Sequence, residues 1–242
     1  MPQLEEKSRP EKGIPRIIHQ TWKDQNIPQH FKSYVRSWQK NHPSWEYRLW
    51  DDAANRHFIQ TQYSWFLPIY DNYSLNIQRA DVIRYFILYT YGGLYVDLDF
   101  ECFKPVDPLL ADNVCVLATE SPKHSRWHGI DPIVSNAFMA SIPKHPFFYT
   151  VMKVLITDTP VQTDLDRFVL ETTGPLMLSR VFEKYQDHDD MALLSSRYLF
   201  PLDMNEAEQV LAGLWSDKID QALKNAYGVH YHCGSWWKDG HG

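Results

Sequence analysis

The chain has 242 residues, 44% of them apolar and 22% charged, and a formal net charge of −6. That length suffices for one sizeable domain and is short for two, and the acidic balance excludes the basic face that nucleic-acid binders need. Cys102, Cys115 and Cys233 are odd in number and lack C-x-x-C spacing, which excludes a disulfide framework or cysteine zinc cluster and fits a reducing compartment.

Residues 1–13 are charged and contain proline without the apolar core of a signal peptide. They are expected to form a flexible segment ahead of a single domain over 14–242. No apolar run reaches bilayer length, which points to a cytoplasmic or peripheral membrane protein and leaves room for a removed anchor. A short buried strand is predicted over 16–19, followed by a loop over 23–28. Phe31, Tyr34, Val35 and Trp38 recur at helical period within 29–41, and Asn41 and Pro43 close that helix. Residues 46–50 alternate as a strand and stop at Asp51-Asp52, and 53–62 read as a helix.

The clearest helix is 76–91, where Ile77, Ala80, Ile83, Ile87 and Leu88 make one apolar stripe and Gln78, Asp81 and Arg84 lie off it. Gly92-Gly93 ends it. A strand through Leu94, Tyr95 and Val96 follows, and its alternation predicts that Asp97 and Asp99 project to the same side. Strands are also predicted within 114–119, 192–200 and 226–237, the last running into a Gly-Ser-Trp-Trp loop. Residues 147–157 and 173–185 read as helices, and 120–136, rich in His, Pro and Ser, as a loop over a site. Strands alternate with helices, so the class is α/β with at least part of the sheet parallel.

Two carboxylates with a common heading repel each other unless a cation lies between them. Hard divalent ions take oxygen ligands and commonly reach proteins through one or two carboxylates plus substrate phosphates. Asp81 and Arg84 sit three apart and share a helix face. On a solvated surface such a pair is worth at most about a few tenths of a kcal/mol. Turned toward the crevice, Arg84 could contact a phosphate and Asp81 could accept from sugar hydroxyls.

Three motifs occur in order: Ile14-Pro15-Arg16-Ile17-Ile18-His19-Gln20-Thr21-Trp22, then Arg79-Ala80-Asp81-Val82-Ile83-Arg84-Tyr85, then Tyr91-Gly92-Gly93-Leu94-Tyr95-Val96-Asp97-Leu98-Asp99. Together they resemble the sugar-nucleotide-dependent glycosyltransferases with a D-x-D motif, most closely glycosyltransferase family 32. That family includes yeast-type α-mannosyltransferases and bacterial capsule or lipopolysaccharide sugar transferases. The resemblance spans about residues 14–108. It resumes weakly at Thr173-Gly174-Pro175 and at His230-Tyr231-His232-Cys233-Gly234-Ser235-Trp236.

The resemblance implies a GT-A fold, a Rossmann-like nucleotide-binding sheet with the D-x-D at a strand end. It implies a retaining hexosyltransferase that uses a UDP- or GDP-sugar with Mn²⁺ or Mg²⁺ and acts on a glycan or glycolipid acceptor, for instance in polysaccharide biosynthesis. Ile18, His19, Gln20, Thr21 and Trp22 would then hold base and ribose, and Asp81 and Arg84 would contact the donor sugar. Asp97 would touch sugar hydroxyls and the metal, with Asp99 as the principal metal ligand. His230 or His232 would be a third protein ligand, and Ser235 and Trp236 would lie near the diphosphate. In a retaining transfer the departing phosphate oxygen can take the acceptor proton, so no side chain need act as base behind the sugar. Asp131 and Asn136 are candidates for sugar or acceptor contacts, against a plain surface-loop role.

Two rival readings stand beside this one. A metal-dependent phosphohydrolase of the haloacid-dehalogenase type wants Thr or Val two residues after the second Asp, where this chain has Glu101. A non-catalytic nucleotide-sugar or glycan-binding module would have kept the fold and lost turnover. The intact acidic pair, Arg84 and Gly-Ser-Trp speak against such decay.

Overall fold

The structure, a computed structural model, describes residues 13–157 and 165–234. Its strands are β1 (Ile17–Thr21), β2 (Glu46–Trp50), β3 (Gly93–Val96), β4 (Phe100–Cys102), β5 (Cys115–Thr119), β6 (Val134–Ser141), β7 (Met191–Leu194) and β8 (Gly228–His230). The helices are α1 (Lys32–Asn41), α2 (Asp52–Gln62), α3 (Leu67–Asn72), α4 (Asn76–Tyr91), α5 (Asp107–Leu110), α6 (Pro122–His128), α7 (Pro146–Thr157), α8 (Leu165–Thr172), α9 (Pro175–Lys184), α10 (Met204–Leu211) and α11 (Asp217–Leu223). No helix among the described residues is long and apolar enough to cross a membrane.

Six strands form one sheet in the order β2-β1-β3-β6-β5-β7, and β4 and β8 pair as a separate antiparallel ribbon. β1 runs parallel to β2 and β3, and β5 runs parallel to β7, while β6 runs against β3 and β5. The carboxyl ends of β1, β3 and β5 therefore open on one edge, together with the start of β6. In open α/β sheets that edge is where ligands bind.

Alternation along β3 distributes the core. Leu94 and Val96 join Ile18, Trp38, Phe100 and Phe138 on one face, and Tyr95 joins the residues of α4, α7 and α9 on the other. The apolar stripe read for α4 is too narrow. Gln78, Asp81 and every residue from Val82 to Tyr89 are buried, because the helix is packed between the sheet and α7. A helix apolar nearly all round belongs inside a domain. Each fully buried Phe86, Ile87 or Leu88 contributes about 1.5–3 kcal/mol.

The glycine pair makes the exit from α4 possible. Gly92 has φ 63° and its N–H closes on Leu88 O at 2.9 Å. A Cβ there would stand 2.6 Å from Ser141 O, and one on Gly93 would stand 2.7 Å from Ile17 O. Only glycine lets the chain turn straight into the slot between β1 and β6.

Several expectations need correction. β3 ends at Val96, so Asp97 to Asp99 form a turn, closed by the Phe100 N–H on Asp97 O at 3.2 Å. Residues 120–136 are not one loop: α6 occupies their middle and β6 begins before their end. The late strand is β7 followed by a 3₁₀ turn over Ser196–Tyr198. β8 is confined to three residues. The short β4 escaped the sequence reading because three residues carry no period. The expectation for residues 1–12 falls outside the described residues.

Candidate active site

A cleft of about 460 Å³ opens at the carboxyl edge of the sheet, and Thr21, Trp22, Asp81, Arg84, Asp97 and Asp99 are among its walls. The acidic turn forms its floor. Asp97 is fixed by its N–H on Ala137 O at 3.0 Å and by Gln20 Nε2, which donates to its carbonyl at 3.1 Å. Its carboxylate accepts from the Tyr95 hydroxyl at 2.8 Å and pairs with Arg84 Nη1 at 3.1 Å. Asp99 is held from the other end of the chain. Register in the β4–β8 ribbon sets Phe100 opposite His230. His230 Nε2 then donates to Asp99 Oδ1 at 3.0 Å, and the Cys233 N–H donates to Oδ2 at 2.8 Å.

Asp97, Asp99 and His230 each offer a ligand atom, and these lie within 4.8 Å of one another. The two carboxylates thus converge through a turn and a distant strand, not through strand alternation. His232 stands outside this group. β8 ends at His230, and His232 adopts a left-handed backbone with φ 48°, its ring 4.2 Å from that of His230. Burial, and then the neighbouring His230, push it down to about 3, so it is neutral near pH 7.

The electrostatics are those of a charged group waiting for partners. Burial pushes Asp97 up from the carboxylate range against the pull of Arg84, and Asp99 adds to the rise. Burial acts on Asp99 in the same sense, but His230 and the Cys233 N–H override it and hold the carboxyl well below its ordinary value. Burial would lower His230, yet the Asp99 charge and hydrogen bond raise it to about 9. Among the described residues, two buried nitrogens of the cleft walls, His230 Nδ1 and Trp22 Nε1, have no hydrogen-bond partner. Two carboxylates and an imidazole fit a divalent ion of the Mn²⁺ or Mg²⁺ kind.

Asp81 and Arg84 are buried, so the surface ion-pair reading fails and their shared face does meet the crevice. Arg84 Nη2 pairs with Asp81 Oδ1 at 3.0 Å, Nη1 donates to Asn136 O at 2.9 Å and reaches Asp97, and Nε donates to Ala80 O at 3.2 Å. The guanidinium also lies 4.6 Å from the Tyr95 ring centre. These bonds engage both sides of the fork, so Arg84 positions the two aspartates, and a bidentate phosphate contact would require breaking them. Asp81 accepts further from Asn136 Nδ2 and Thr173 Oγ1, each at 3.0 Å, and burial pushes it up to about 6 against Arg84.

Of the five residues expected to hold base and ribose, Thr21 and Trp22 line the cleft. Ile18, His19 and Gln20 do not. Ile18 is core, His19 bridges Gly92 O and Trp50, and Gln20 ties Tyr47 to the Asp97 backbone. A strand paired on both edges and packed on both faces exposes only its end. Ser235 and Trp236 lie outside the described residues. Asn136 reaches Asp81, whereas Asp131 is exposed. Glu120 and His124 line the cleft without having been singled out. Position after a predicted strand end was the available signal for Glu120.

A mainly parallel sheet with an acidic turn at the carboxyl end of a central strand defines the GT-A class of nucleotide-sugar folds. The solved structure of the PaToxG glycosyltransferase superposes with a TM-score of 0.55 over 90% of both chains at 15% identity. The glycosyltransferase domain of the YGT toxin gives 0.54 over 88% of this chain and 90% of that one, at 8% identity. The family model described as the glycosyltransferase sugar-binding region containing the DXD motif matches residues 28–116.

Inositol phosphoceramide mannosyltransferase 2 of Schizosaccharomyces pombe is 43% identical over 174 residues, covering 72% of this chain and 47% of that protein. Mannosyl phosphorylinositol ceramide synthase SUR1 of Saccharomyces cerevisiae is 41% identical over 173 residues, 72% of this chain and 43% of that protein. The chain belongs to glycosyltransferase family 32. It spans about half the length of the curated relatives it matches, 47% and 43% of the two just named.

Proposed function

We propose that this chain transfers a hexose, with mannose the first candidate, from a nucleoside diphosphate sugar to a hydroxyl of a glycolipid or glycan. The transfer depends on a divalent ion and retains the anomeric configuration. The observation that carries the reading is the convergence of Asp97, Asp99 and His230 at the floor of the cleft, beside the buried Asp81–Arg84 pair. The names of the mannosyltransferase relatives support the sugar and the acceptor class. A lipid-linked acceptor would bring the chain to a membrane surface.

Asp97, Asp99 and His230 would hold the ion, which supplies positive charge against the growing negative charge of the diphosphate leaving group. Trp22, with its unpartnered indole N–H, and Thr21 offer the nucleotide end an apolar wall and hydrogen bonds. Arg84 keeps Asp81 and Asp97 at fixed positions by bonding both. Asp81, already holding Asn136, Thr173 and Arg84, has little acceptor capacity left and meets at most one sugar hydroxyl.

The test is release of nucleoside diphosphate across a panel of GDP- and UDP-sugars with Mn²⁺ and then with EDTA. Metal-dependent release from one donor is expected, and Asp99→Asn should abolish it by removing a charged ligand at nearly constant shape. Turnover that survives EDTA, or wild-type turnover by Asp99→Asn with Mn²⁺, would overturn the reading.

A further inference from the structure

The strand order sets out the cleft in sequence along the carboxyl edge of the sheet. Thr21 follows from β1, the Asp97–Asp99 turn from β3, Asn136 from the start of β6, and Glu120 from the end of β5. On the function proposed above, on which this inference rests, the nucleotide lies at β1 and the diphosphate at β3. The transferred sugar then falls beside Asn136, and the station beyond it belongs to β5. Neighbouring strands are about 4.8 Å apart, so Glu120 lies about 10 Å across the sheet from the acidic turn and further out along the cleft, its N–H on Ile133 O where that of Asp97 is on Ala137 O.

Glu120 is 6% exposed, and His124, His232 and His230 favour its charge against burial, yet it meets few hydrogen-bond donors within the protein. Its N–H is engaged by Ile133 O at 2.9 Å. Among the described residues its carboxylate has one hydrogen-bond partner, His124 Nδ1, at 3.4 Å. That is longer than an ordinary bond of this kind. Asp81 is as deeply buried, at 5%, but has Asn136, Thr173 and Arg84 all at 3.0 Å. A carboxylate has about four acceptor sites, and a buried one left short of donors is costly. His124 is itself steadied by His128, Nε2 to Nε2 at 3.2 Å, so Glu120 is held in place from one side with acceptor capacity to spare.

We propose that Glu120 is an acceptor-binding residue: it accepts a hydroxyl of a cyclic polyol and so turns a neighbouring hydroxyl toward the donor sugar. A carboxylate at this station suits the neutral, hydroxyl-rich ring of an acceptor and repels its phosphate, if it has one. The phosphate must then point away from the Glu120 carboxylate.

Ligand-observed NMR tests this on the full chain carrying Mg²⁺ and GDP or UDP, whichever binds, with methyl α-mannopyranoside and myo-inositol as probes. One probe should bind, and its half-saturation concentration should rise at least about tenfold in Glu120→Ala and less in Glu120→Gln, which can still accept. Nucleotide affinity measured on the same samples reports whether the variants are folded. The proposal is overturned if neither probe binds, if the variants bind the probe like wild type, or if nucleotide and probe affinity fall by the same factor. A wild-type chain that binds no nucleotide and hydrolyses no donor would instead overturn the transferase reading, and this inference with it.

Discussion

His19 makes the stability of this domain depend on pH. Its ring is fully buried in β1. An indole N–H can only donate, so the 3.1 Å bond from Trp50 Nε1 makes His19 Nδ1 an acceptor and leaves the proton on Nε2, which donates to Gly92 O at 3.0 Å. A second proton would set N–H against N–H. Burial pushes the group from 6.5 down to about 4, with Arg48 acting in the same direction. Between those values the unfolded chain binds a proton that the folded chain refuses. The stability that His19 contributes is therefore fully present above pH 6.5 and is lost as the pH falls toward 4. At about 1.36 kcal/mol per pH unit, that interval amounts to about 3 kcal/mol.

Urea unfolding across the interval measures the loss. Other buried groups, His42 and His145 among them, are also pushed down by burial and add to the slope. The informative quantity is the gap between wild type and His19→Gln, which does not titrate. The variant should be less stable above pH 6.5, and the gap should close by about 3 kcal/mol as the pH approaches 4. A gap that stays constant across the interval would refute the assignment of a neutral, unprotonatable His19.

Arg84→Met leaves the buried Asp81 and the half-buried Asp97 without their cation and should lower stability by about 3–5 kcal/mol in urea unfolding. The double variant with Asp81→Asn should be less harmed than the sum of the two single changes. His230→Gln should weaken Mn²⁺ binding by at least about tenfold in calorimetry, and His232→Gln should change it far less, because only His230 converges with the aspartates. Equal losses in the two would remove His230 from the ligand set.

Much of the site was written locally. The three-residue spacing of Asp81 and Arg84, the glycine pair and the D-x-D are short-range patterns whose meaning depends on a few neighbouring dihedrals. The first two sit where their patterns placed them, while the D-x-D lies in a turn beyond the end of the strand whose alternation was to orient it. The alternation of strands and helices likewise gave the α/β class. What failed depended on what lies across from a residue. His19 and Gln20 look as polar as Thr21, but β2, β3 and α4 cover them and leave the strand end alone in the cleft. Strand alternation would face His230 and His232 the same way and so left the choice between them open, but the strand stops at the first of them. Glu120 lacked a motif altogether.

The sequence by itself determined the class of fold and where the helix exit and the acidic pair fall, because helical period, glycine exits and paired carboxylates act over a few residues. That the pair lies in a turn came from the structure. Only the tertiary structure decided which groups share the cleft. Asp99 meets His230 across 131 positions and Asp81 meets Thr173 across 92. Contacts at that separation are set by sheet order and ribbon register, which no local pattern encodes.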